Sequence, residues 1–265
     1  MTDPRPQQPT VAQMREICQP PEIRLRPAEH WTADLYQRKL SPYLTRVLVR
    51  LGFSANGVTW LMIVTGILAG VALLIPSLPG AILAVLLGQL QMLWDCCDGE
   101  VARWRQTSSA AGIFLDAVGH YAAEASICIA LGFRATGSPS TWSTPSWYMV
   151  CGGILAVLIL FNRGLNEMAI SARYRAALPK VADAVNVAVP NSTGVAKLRS
   201  AARVVPLHRV LHSVELTLLI FVAACIDAGA GSLIATRVLL VLLIPGTLLV
   251  LAGHLIAILS SDRLK

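Results

Sequence analysis

Apolar residues fall along this chain in runs of about twenty, the length a helix needs to cross the hydrocarbon core of a bilayer. Six such runs stand out, approximately residues 57–76, 78–97, 109–134, 146–163, 213–231 and 233–259. Ahead of them, Tyr36, Leu40, Tyr43, Val47 and Leu51 recur at three- and four-residue steps, while Arg38, Lys39, Arg46 and Arg50 take other faces. That spacing predicts an amphipathic helix over 31–53, lying in the membrane interface or packed on the ends of the bundle. Residues 1–30, rich in proline and polar side chains, are expected to be flexible, and 54–262 to form the membrane domain. The fold class expected is all-α integral membrane: six transmembrane helices preceded by an interfacial amphipathic helix.

Composition supports the bilayer. Of 265 residues, 55% are hydrophobic and only 14% charged, too apolar a balance for an ordinary soluble domain. The net charge of +7 is spread over loops and helix ends instead of forming one arm or stripe, so it suits anionic lipid or phosphorylated ligands, and no nucleic-acid partner is expected. Six cysteines form neither a CxxC pair nor a zinc-type spacing with histidine, and read as small apolar fillers. The N-terminus lacks the basic-then-apolar order of a signal peptide and is expected to stay on the mature protein.

Charge asymmetry gives an orientation. With both termini cytoplasmic, residues 164–212 also lie inside and bring Arg173, Arg175, Lys180, Lys197, Arg199, Arg203 and Arg209 to that side, leaving outside little more than Arg134 and Arg237. We expect an integral protein of a bacterial plasma membrane, with its termini and its acidic segment facing the cytoplasm.

That acidic segment, DCCDGEVARWRQTSSAAGIFLDAVGH from Asp95 to His120, sits where spans two and three meet the water. Ionisable side chains at such a depth are costly and mark function. On helices, Asp95 and Asp98 share a face, as do Asp116, His120 and Glu124 at four-residue steps. Two facing helices can thus gather three carboxylates around one or two hard cations, for which Mg2+ or Mn2+ is suited. Gly99 and Gly112 leave room for a phosphate or planar group near the backbone, Arg103 offers a fork of donors, and Thr107, Ser108 and Ser109 add hydroxyls. Together these describe a diphosphate site. A transporter with Asp116 and Glu124 on a cation path is the rival, but it leaves the glycine and arginine spacings unexplained.

The pattern DxxDGxxAR, followed after eight residues by GxxxD and then xxxD, resembles the motif of the CDP-alcohol phosphotransferase family of membrane enzymes. Asp95, Asp98, Gly99, Ala102, Arg103, Gly112 and Asp116 match seven of its eight fixed positions, and His120 replaces the last aspartate. The interfacial helix, the Ser54-Ala55-Asn56 turn and six spans are also similar to that family. The resemblance implies transfer of a phosphoalcohol group from a CDP-linked donor to an acceptor hydroxyl, with release of CMP. It makes Asp95, Asp98 and Asp116 metal ligands, places Gly99, Ala102, Arg103 and Gly112 around the CDP moiety with Thr107 nearby, and implies a homodimer.

In the family the last aspartate is thought to deprotonate the acceptor. His120 could do so as a general base with Glu124 holding its other ring nitrogen, could ligate metal, or could mark a weakened, nucleotide-binding homologue. Arg209, on one helical face with His212 and Glu215, is the candidate for holding an acceptor that carries a phosphate. CDP-diacylglycerol is the favoured donor because it enters from the bilayer, which would place the enzyme in phospholipid biosynthesis. His254 is expected to be a hydrogen-bonded bundle histidine.

Overall fold

A computed structural model describes residues 5–6, 8–21, 32–144, 146–178, 211–261 and 264. The chain is helical, with no strand among the described residues. The elements are α1 (Val11–Cys18), α2 (Arg38–Arg50), α3 (Ala55–Leu73), α4 (Leu78–Arg105), α5 (Ala110–Thr136), α6 (Trp147–Arg175), α7 (Ser213–Ala230) and α8 (Ile234–Leu259). The last six are each long and apolar enough to cross a membrane.

Within the segment expected to be flexible, α1 is an ordered helix, and the expectation is corrected for those residues. Thr10 Oγ1 accepts from the Gln13 backbone N–H at 3.2 Å, while Gln13 Oε1 accepts from the Thr10 N–H at 2.8 Å. This reciprocal capping box satisfies two N–H groups that would otherwise lack partners. Met14 and Cys18 are fully buried in a cluster with Leu48, Val49, Cys97, Val101 and Trp104, so α1 is pinned to α2 and α4.

A single π turn, Ala33–Gln37, leads into α2, which contains Pro42. Proline has no N–H to give to the carbonyl four residues back, that of Arg38. Gln19 Nε2 donates to that carbonyl instead, at 2.8 Å. The apolar stripe read from the sequence turns outward: Leu40, Tyr43, Val47 and Leu51 are exposed, as suits a helix lying against lipid. Its opposite face and the end of α1 bind α4 through a buried carboxylate, since Ser41 Oγ and Thr45 Oγ1 of α2 and Gln19 Nε2 after α1 donate to Glu100 at 2.5, 2.6 and 2.7 Å.

Two helices outrun their apolar stretches. The run 78–97 is only the first part of α4, which continues to Arg105, and the run 146–163 continues in α6 to Arg175. Asp95 to Arg103 therefore lies on helix throughout, instead of at a break between spans, and its side chains are held at fixed helical angles. In the bundle, α3 packs chiefly on α4 and α5, and α5 on α6. Close approach demands glycine at the crossings: a Cβ on Gly70 would come within 2.7 Å of the Ser126 backbone, and one on Gly132 within 2.6 Å of the Tyr148 carbonyl.

Candidate active site

A tight turn brings the two acidic helices together. Helix α4 stops at Gln106, whose φ of 55° is left-handed, and Thr107 N–H donates to Ala102 O at 3.0 Å. Ser109 then opens α5, its hydroxyl accepting from Gly112 N–H at 3.1 Å. With so short a connection the chain doubles back, and Asp95 on α4 comes to face His120 on α5, beside Asp116.

His120 Nε2 lies 3.2 Å from Asp95 Oδ1 and 3.5 Å from Asp116 Oδ1. One ligand atom from each of these three residues falls within 4.8 Å of the others. Ligands around an octahedral hard cation are separated by roughly 3 to 4 Å, so the donor set is of the right size as well as the right chemistry. Asp116 Oδ1 is buried and accepts no hydrogen bond, which leaves a lone pair for an ion. Asp98 is held beside them by Thr59 on α3, whose hydroxyl donates to Oδ2 at 2.7 Å. The residues present fit a divalent metal.

A family profile for CDP-alcohol phosphatidyltransferase matches residues 53–261. The chain belongs to that family. No curated protein matches the chain as a relative. Membership carries the general activity, transfer of a phosphoalcohol group from a CDP-alcohol, and the general dependence of such enzymes on a divalent metal. The matched residues begin just before α3 and end just after α8, so the six long helices are the shared part.

The remaining expected nucleotide residues of this family member line the same end of the bundle. The side chain of Arg103 folds over Gly99, where a Cβ would stand 3.1 Å from Nη1. Its Nε donates to Cys18 O at 2.7 Å, so α1 sets where the guanidinium can point. Arg5 also reaches the motif, Nη1 donating to Arg103 O at 2.5 Å and to Trp104 O. A Cβ on Gly112 would lie 3.3 Å from Asn56 Oδ1, which brings the first turn of α3 into the wall of the site. Ala102 is half-buried on α4, and Thr107 is exposed in the turn.

Glu124 is not where the orienting role needs it, and that expectation is corrected. Both its oxygens are taken by α6, with Arg163 Nε donating to Oε2 at 2.9 Å and Nη2 to Oε1 at 2.6 Å. His212 Nδ1 lies 3.3 Å from Oε1. His120 Nδ1, meanwhile, is buried and has no hydrogen-bond partner. The physical reason is a preference of charge: a fully buried carboxylate is stabilised far better by a two-pronged guanidinium than by a neutral imidazole. Arg163 was missed in the sequence, where its one signal is a cation at the end of the fourth apolar run. His212 joins this triad instead of an acceptor site, and Arg209 lies outside the described residues. His254 is hydrogen-bonded in the bundle as expected, its ring nitrogens 3.1 and 3.2 Å from the side-chain oxygens of Asn162 and Asn166.

Proposed function

We propose that the chain transfers a phosphatidyl group from CDP-diacylglycerol to the hydroxyl of a polar acceptor and releases CMP, with the site facing the cytoplasm. The observation that carries this is the convergence of Asp95, Asp116 and His120 from two helices, with Asp98 steadied alongside. A donor whose acyl chains are already in the bilayer suits a site carried by membrane-spanning helices, and the basic residues at 164–212 favour the cytoplasmic orientation.

In this reading Asp95, Asp98 and Asp116 hold Mg2+ or Mn2+. Bound there, a divalent cation supplies positive charge for the donor diphosphate and for CMP as leaving group. Gly99 and Gly112 leave the backbone open to the nucleotide phosphates, and Arg103 with Ala102 and Thr107 borders the CDP moiety. The acceptor oxygen bonds to the phosphorus of the phosphoalcohol while the bond from that phosphorus to the CMP oxygen breaks. His120, whose Nε2 faces Asp95 and Asp116 at 3.2 and 3.5 Å, takes the acceptor's proton at a ring nitrogen. A second reading, His120 as a metal ligand, is favoured by its place within the 4.8 Å cluster. Likeness to the family supports a homodimer.

Purified protein offered a panel of CDP-alcohols tests the proposal. Metal-dependent CMP release with CDP-diacylglycerol in preference to CDP-choline or CDP-ethanolamine is expected. Preference for a water-soluble CDP-alcohol would overturn the donor assignment, and nucleotide binding without CMP release from any of them would identify a homologue that has lost turnover.

A further inference from the structure

At the end of the bundle opposite the carboxylate cluster, a cavity of about 610 Å³ opens between the α3–α4 turn, the end of α5 and the α7–α8 turn. Two arginines line it. Arg134, in the last turn of α5, is only 1% exposed. Its Nη1 donates to Ile75 O at 2.8 Å and its Nη2 to Ser77 O at 3.1 Å, while its buried Nε has no hydrogen-bond partner. Arg237, in the first turn of α8, donates through Nε to Ala135 O at 2.9 Å and lies 5.1 Å from the centre of the Tyr148 ring.

Carbonyl groups fix the position of these guanidinium groups but do not neutralise them. Among the described residues neither arginine is ion-paired with a carboxylate. The one acid lining the cavity, Asp227, is committed to the start of α8, where its oxygens accept from Ala235 N–H at 2.7 Å and Thr236 N–H at 3.0 Å. The cavity thus holds two fixed cations against one aspartate. One aspartate answers only one of the two cations, and an uncompensated cation held away from bulk water is costly, so the chamber suits an anion.

The α3–α4 turn and the α5–α6 loop also border a second cavity, of about 510 Å³. Pro76 and Ser77 with Gly137 and Ser138 line the first, and Leu74 and Ile75 with Pro139 and Trp142 line the second. Its other walls are apolar and come from α3 and α4, among them Leu68, Val71 and Leu83, which are all exposed on the lipid-facing side. A charged chamber and an apolar slot bordered by the same loops match the two parts of one molecule. We propose that they bind an anionic phospholipid of the leaflet opposite the active site, its phosphodiester on Arg134 and Arg237 and an acyl chain along the slot. The lipid clamps the α3–α4 turn, the α5–α6 loop and the α7–α8 turn together, away from the chemistry.

Full-length protein, purified in detergent and stripped of lipid, is titrated with dioleoylphosphatidylglycerol while retained lipid is followed by native mass spectrometry and Tm by thermal denaturation. Retention and a rise in Tm are expected for the unaltered chain, and Arg237→Gln should weaken the affinity about tenfold, a change of about 1.4 kcal/mol. Arg134→Gln should abolish retention; should that variant fail to fold, the less buried Arg237 still decides. Inorganic phosphate, lacking the chain, and dioleoylglycerol, lacking the charge, should each raise Tm less than phosphatidylglycerol. Equal retention by Arg237→Gln and the unaltered chain overturns the proposal. An equal rise with inorganic phosphate overturns it too, by making the site one for a free anion.

Discussion

His120 Nε2 stands 3.2 Å from Asp95 Oδ1, although the two residues belong to different helices. That contact joins α4 to α5, with Asp116 3.5 Å from the same nitrogen, so His120 faces the proposed metal ligands. His120→Ala should lower CMP release by about a hundredfold or more, the range for loss of a positioned general base. His120→Asp should recover most of it. Mn2+ affinity, measured by calorimetry, separates the two roles: an unchanged affinity in His120→Ala marks a base, and a weakened one marks a ligand. Full turnover by His120→Ala would rule out both.

Thr59 holds Asp98 by a 2.7 Å hydrogen bond from a helix that carries no carboxylate of the site. Thr59→Val keeps the shape and removes the donor. Metal affinity should fall by about ten- to a hundredfold, as is usual when a partner behind a ligand is lost, with little change in thermal stability. A titration of activity against Mg2+ concentration checks this, and an unaltered Mg2+ requirement would show that Thr59 does not support the site.

Glu124 is 1% exposed and carries two hydrogen bonds from Arg163. Removing it takes the two-pronged carboxylate partner from a guanidinium held inside the bundle. Glu124→Ala should cost about 3 to 5 kcal/mol of stability, seen as a marked drop in Tm. The pH profile of the turnover that remains should keep its shape, because Glu124 does not touch His120. A displaced profile at normal Tm would restore Glu124 to the role of orienter.

Gly132 meets the Tyr148 carbonyl where α5 crosses α6, at 2.6 Å from the place a Cβ would occupy. Gly132→Val must push the helices apart against backbone. We expect a loss of at least about 1 to 3 kcal/mol, read as lower Tm and poorer yield from detergent, with the unaltered chain as reference. A neutral outcome would mean that the crossing is looser than this distance implies.

What the sequence made legible follows from which signals are local. Apolar length alone marked all six spans, because a bilayer imposes one scale on every crossing. The ends of α4 and α6 were not legible in that way: the helix goes on after the apolar run stops, and hydropathy does not register the continuation. In α1 the signal was present but small, since Thr10 and Gln13 spell a capping box over a stretch whose proline and polar content suggests the opposite. The metal cluster was legible because three- and four-residue spacing fixes a helical face. Spacing put Glu124 on that face too, yet its partners are Arg163 and His212, 39 and 88 residues away, and only tertiary packing chooses between them and His120.

Metal-dependent turnover is the most direct measure of the site. Purified protein is given CDP-diacylglycerol and an acceptor alcohol, and CMP is followed with Mg2+, with EDTA, and in Asp95→Asn. CMP release should require Mg2+, cease in EDTA, return when Mg2+ is restored, and fall by orders of magnitude in Asp95→Asn. Undiminished CMP release in EDTA, or in Asp95→Asn, would contradict a diphosphate held through metal at Asp95, Asp98 and Asp116.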